Sequence, residues 1–120
     1  MSPPELEQTG ERRIARRLGL VKFVWYRTID RADPTRELEG IARGCDVSET
    51  GACIYTARPL PAKVDVFLEV SSAELGFSAI GEVVYSQPVE DGTYRIGVQF
   101  VVMPPNDRVA LMRYCRHEGP

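Results

Sequence analysis

Asp46, Ser48 and Gly51 stand in the spacing D-x-S-x-x-G, and four arginines, Arg12, Arg13, Arg16 and Arg17, crowd one short stretch upstream. The two groups have complementary chemistry. A carboxylate at Asp46 accepts hydrogen bonds from ring N–H groups, Ser48 donates or accepts, and Gly51 permits close backbone approach or a φ > 0 turn. A guanidinium grips phosphate or the O6/N7 edge of guanine with two parallel donors, and its plane stacks on a base. The clustered cations make a ready anion site, and guanidinium suits planar recognition of bases and phosphates. Each group also has a plainer reading. Asp and Ser build Asx and ST turns, Gly51 can cap a hairpin, and the arginines can be a solvated basic leader.

The elements around the D-x-S-x-x-G stretch are strands. Residues 41–46 and 51–56 are short apolar runs on either side of it, so it reads as a strand end and turn. Upstream, residues 20–27 (LVKFVWYR) are β-branched and aromatic and predict the first strand. Residues 28–40 read as a polar loop with an Asp-Pro turn signal. Residues 63–70 alternate, with Val64, Val66, Leu68 and Val70 on one face and Asp65 and Glu69 on the other. A longer strand over 76–87 contains Gly81, expected at a bulge or bend. Asp91-Gly92 signals a hairpin into the strand 93–101, where Tyr94, Ile96, Val98 and Phe100 point inward. Asn106 is the expected N-cap of a helix reaching Cys115, with Val109, Met112, Cys115 and the adjoining Leu111 as its inner stripe. Five or six antiparallel strands and one closing helix predict a small, mostly β barrel, because closure removes exposed edges.

Length and composition allow one domain with a single modest core: the chain has 120 residues, 43% of them hydrophobic and 27% charged. A net charge of −2 argues against a general nucleic-acid or membrane binder. Lysine occurs only at Lys22 and Lys63, so the basic character is almost all guanidinium. In a helix Arg13 and Arg17 would share a face at i, i+4 and repel by a few tenths of a kcal/mol. Cys45, Cys53 and Cys115 have no C-x-x-C spacing, and His117, the only histidine, sits in the tail. No metal site, signal peptide or transmembrane run is visible, and a reduced, cytoplasmic protein is expected. Residues 1–11 read as a flexible leader, 12–117 as the domain and 118–120 as a tail.

The arginine pattern R-x-x-x-R before the first strand, followed by D-x-S-x-x-G, resembles the signature of the PilZ-domain family. The likeness runs from Arg12 to about Cys115 and extends to the strand Tyr94-Arg95-Ile96-Gly97-Val98-Gln99-Phe100 and the helix after it. The resemblance implies a six-stranded antiparallel barrel with a C-terminal helix that binds cyclic di-GMP. It implies ligand contacts from Arg12, Arg13, Arg16, Arg17, Asp46, Ser48, Gly51 and Gly97. Arg12 with Arg16 and Arg13 with Arg17 both satisfy R-x-x-x-R; Leu18-Gly19-Leu20 after Arg17 resembles the family's continuation and favours the second pairing. An extra arginine before the motif resembles members that hold two stacked ligand molecules. Ala62 departs from the pattern, which often has a turn glycine there.

The expected function is a non-enzymatic receptor that changes conformation on binding cyclic di-GMP and signals to a protein partner. The alternative is an adaptor with the same barrel that acts by protein contacts without the ligand. No nucleophile–histidine–acid set, metal cluster or phosphate-binding glycine loop suggests an enzyme, and no cofactor is expected. Single-stranded nucleic-acid binding would need a basic groove with exposed aromatics, against which the acidic balance and mostly inward aromatics argue. No DNA or RNA partner and no membrane insertion are expected, and a homodimer is left open.

Overall fold

The computed structural model describes residues 23–72 and 75–117. The leader, the arginines Arg12, Arg13, Arg16 and Arg17, and the tail 118–120 lie outside the described residues. Six strands run β1 (Phe23–Ile29), β2 (Glu39–Val47), β3 (Gly51–Thr56), β4 (Asp65–Ser71), β5 (Gly76–Pro88) and β6 (Tyr94–Val102), followed by the helix α1 (Pro105–His117). All neighbouring strands are antiparallel. The order β1-β2-β3-β6-β5-β4 closes into a barrel through β4 pairing with β1. The expected mostly β barrel with a C-terminal helix is the observed fold.

Alternation fills the interior. Val66, Leu68 and Val70 of β4 are buried, as are Ile96, Val98 and Phe100 of β6, Val24 and Tyr26 of β1, and Ile54 of β3. Phe77 and Phe100 meet edge to face at 5.6 Å between ring centroids, a favoured aromatic geometry. Burying a side chain of this size stabilises by about 1.5–3 kcal/mol. Gly81 sits where the β5–β6 register shifts, and a Cβ there would lie 2.5 Å from Val98 Cγ1. Gly92 takes φ +84° in the β5–β6 hairpin, as the Asp-Gly signal predicts.

Several boundaries move. β1 continues through Thr28 and Ile29, and β2 begins at Glu39, inside the expected loop. The reason is Thr28, which is buried: its amide donates to the Leu38 carbonyl (2.8 Å) and its Oγ1 accepts from the Leu38 amide (2.8 Å). The hydroxyl continues the pairing that a sequence of polar residues conceals. Between them the Asp-Pro signal is real: residues 34–36 form one 3-10 turn, with Asp33 accepting from the Thr35 amide.

The helix also differs. Its first bond runs from the Arg108 amide to the Pro104 carbonyl at 3.0 Å, and Pro105 takes the first helical position. Asn106 therefore lies inside the first turn and is not the N-cap. Asp107 accepts from the Ser78 amide at 3.0 Å, pinning α1 to β5. The inward stripe is Leu111, Tyr114 and Cys115, whereas Val109 is 46% exposed. Leu111 and Cys115 face inward as expected, and docking against β5 brings Tyr114 in with them while Val109 turns out. Among the described residues no helix is long and apolar enough to cross a membrane.

Aromatic rings divide between the two sides of the wall. Tyr26, Phe77 and Phe100 point in, but Phe23 is 62% exposed, and Trp25 packs on Phe67 outside at 5.7 Å. The expectation of mostly inward aromatics does not hold.

Candidate functional site

The D-x-S-x-x-G residues form the β2–β3 hairpin and its approach. The Ser48 amide donates to the Gly51 carbonyl at 2.8 Å, and Ser48 Oγ accepts from the amides of Thr50 and Gly51, each at 3.2 Å. Ser48 thus holds the turn with its side chain, an ST-type arrangement. Gly51 is required by β6: a Cβ there would collide with the Val98 carbonyl oxygen. Crowding, and not positive φ, fixes this glycine.

Asp46 reaches the outside of the barrel through a bulge. Ala42 and Val47 are both buried although they are an odd number of residues apart, which regular alternation forbids. The β2–β3 register shifts between Gly44 and Asp46, so Val47 turns inward and Asp46 outward. The outward Asp46 pairs with Cys53 on β3, Cys53 with Gly97 on β6, and Gly97 with Tyr85 on β5. A second shift, between Val83 and Tyr85, re-aims Tyr85 in the same way. Its ring covers Gly97, where any Cβ would strike it, and its hydroxyl donates to Cys53 Sγ at 3.5 Å. A ligand on this row therefore meets the Tyr85 ring above Gly97. Asp46 Oδ1 is shut off from solvent.

Arg95 completes the cluster. Burial, then the hydrogen bond to Cys53 and its charge, push the Tyr85 phenol above its ordinary range, and Arg95 opposes this. Burial of Arg95 works against its charge but is outweighed by Cys53 and Tyr85, which hold the guanidinium more firmly protonated. The next row along the strands reads Arg43, Tyr55, Arg95 and Gln87. Arg43 lies over the Tyr55 ring at 5.0 Å, within cation–π range. At the far end of α1, Arg116 Nε approaches Glu49 of the turn at 3.8 Å.

Asp46, Ser48 and Gly51 are thus gathered at one end of the β2–β3–β6 outer face, with Gly97 in the same face under Tyr85. Sequence reasoning missed Tyr85, Arg95, Arg43 and Tyr55. Each lies on a different strand or row, and only register brings them together.

A PilZ-domain family model matches residues 11–117. The chain belongs to the PilZ-domain family. Two solved structures share the PilZ-like fold. The inhibitor of motility MotI/DgrA of Bacillus subtilis matches with a TM-score of 0.59 and 13% identity, over 79% of this chain and 46% of that one. MrkH of K. pneumonia matches with a TM-score of 0.56 and 13% identity, over 78% and 43%. This chain spans less than half the length of either. No curated protein matches the sequence. The PilZ family comprises cyclic di-GMP receptors and adaptors.

Proposed function

We propose that this PilZ domain is a cyclic di-GMP receptor whose ligand rests on the outer face of β2, β3 and β6 and is gripped from above by Arg12, Arg13, Arg16 and Arg17. The observation that carries the reading is connectivity. Phe23, where the described chain enters the barrel, pairs with Arg43 on β2, beside the stretch that leads to Asp46. Only residues 18–22 separate Arg17 from Phe23. At about 3.3–3.6 Å per residue, six steps allow roughly 20 Å of reach, enough to bring guanidiniums onto the Asp46 row. Asp46 answers the N–H edge of a guanine, and the arginines answer phosphates and the O6/N7 edge. Movement of the arginine segment 12–17 onto the ligand would be what a protein partner reads, with Arg13 and Arg17 as the preferred pair and Arg12 and Arg16 beside them. No catalytic step is needed.

A second reading has its own support. Ser48 serves the turn, Gly51 is demanded by Val98 and Gly97 by Tyr85, so much of the motif has a structural reason to be present. An adaptor that works by protein contacts without the dinucleotide fits those facts. Titration calorimetry with cyclic di-GMP, alongside cyclic di-AMP and GTP, separates the two: heat with cyclic di-GMP alone supports the receptor, and its absence at large excess supports the adaptor.

A further inference from the structure

Beside the Asp46 row lies a cleft of about 610 Å³ lined by Arg43, Tyr55, Pro88, Val89, Glu90 and Asp91. Within it the Arg43 guanidinium lies over the Tyr55 ring, 5.0 Å from its centroid. Arg43 Nη2 also stands 3.4 Å from Asp91 Oδ2, longer than a good charged hydrogen bond, with both side chains more than half exposed. The guanidinium is thus held over Tyr55 yet remains solvent-accessible within the cleft. A platform of this kind attracts the face of another flat π system.

We infer that this cleft is a purine-base platform that holds one guanine of the cyclic dinucleotide while the other rests at Asp46, an inference that rests on the cyclic di-GMP reading above. Two features favour a base over a phosphate here. Glu90 and Asp91 place two carboxylates on the rim, which repel an anion but accept from the N–H groups of guanine. Asp91 is already engaged by the Thr93 side chain and amide, which hold its carboxyl below the usual range, so Glu90 is the acceptor at hand. Continuity supplies the rest. Cys53 and Tyr55 are two residues apart on β3, about 7 Å along the strand, so a ligand with two bases can cover both rows. Arg95, the neighbour of Tyr55 on β6, adds a cation on the flank of the platform.

The plain alternative is that Arg43 only staples β2 to the β5–β6 hairpin. Calorimetric titration of cyclic di-GMP into wild type, Arg43→Ala, Arg43→Lys, Glu90→Gln and Asp46→Ala, with thermal unfolding of each, distinguishes them. We expect Arg43→Ala to weaken binding at least tenfold and Arg43→Lys to suffer most of that loss, since lysine keeps charge but has no plane. Glu90→Gln should narrow the preference for cyclic di-GMP over cyclic di-AMP at least threefold. Wild-type-like affinity in both Arg43 variants, with binding lost in Asp46→Ala, overturns the platform and leaves the receptor reading standing. No binding by wild type overturns both.

Discussion

Asp46 and Tyr85 reach the same outer row of the barrel by the same device, a register shift immediately before each, with Cys53 and Gly97 between them. Strict alternation would point both inward. The bulges instead put a carboxylate and a phenol on the face that carries the candidate site, and Tyr85 spans β6 to touch Cys53. The row is one unit, because its members are fixed by packing across four strands.

Gly97→Ala should disturb that unit most. The new methyl would strike the Tyr85 ring, and overpacking of this kind costs about 1–3 kcal/mol. Urea unfolding should show the loss. Gly97→Ala combined with Tyr85→Ala should recover part of it, because the clashing ring is gone.

Tyr85 also predicts an alkaline limit. Its folded pKa lies above the unfolded value of 10.0 because burial, followed by Cys53, favours the neutral phenol. The contribution is therefore complete below about pH 10 and is lost as pH rises from there. Stability measured between pH 8 and 11 should fall above 10, and Tyr85→Phe should flatten that fall. An identical decline in the variant would assign it to other groups.

Lys63 is the one described non-glycine residue with positive φ, at +71°. Its amide donates to the Val83 carbonyl at 2.7 Å, so the conformation is held in place. A side chain in the left-handed region costs about 1–2 kcal/mol, which glycine avoids while losing more chain entropy. Lys63→Gly should therefore gain about 0.5–1 kcal/mol, read as a higher unfolding temperature.

Ser48→Ala should cost about 1 kcal/mol, because the Thr50 and Gly51 amides lose their acceptor. Equilibrium unfolding checks it. Ser48→Thr, which keeps the oxygen, should retain most of the stability.

Much of the fold is written locally. Val66, Leu68 and Val70 alternate into the core, Asp91-Gly92 makes its hairpin, and Gly81 marks a bulge. What the sequence conceals depends on partners distant along the chain. Thr28 looks like loop because its hydroxyl's value lies in Leu38, ten residues on. Val109 looks inward until β5 sets the roll of α1. At the site, D-x-S-x-x-G is a local pattern and is legible, as is the turn it forms. Tyr85, Arg95 and the Arg43–Tyr55 pair are not, because bulges and cross-strand register bring them together, and residue types alone encode neither.

Cyclic di-GMP resting on the Asp46–Cys53 row, as proposed, would cover Cys53. Cys53 is a half-buried thiol in the middle of that row, so its alkylation by iodoacetamide, followed by peptide mass spectrometry, reports both binding and place. We expect a dissociation constant of order micromolar, about −8 kcal/mol in binding free energy, so at about 100 μM cyclic di-GMP Cys53 should react at least fivefold more slowly. Cyclic di-AMP should leave the rate unchanged. An unaltered Cys53 rate at saturating cyclic di-GMP would mean that no ligand rests on this row.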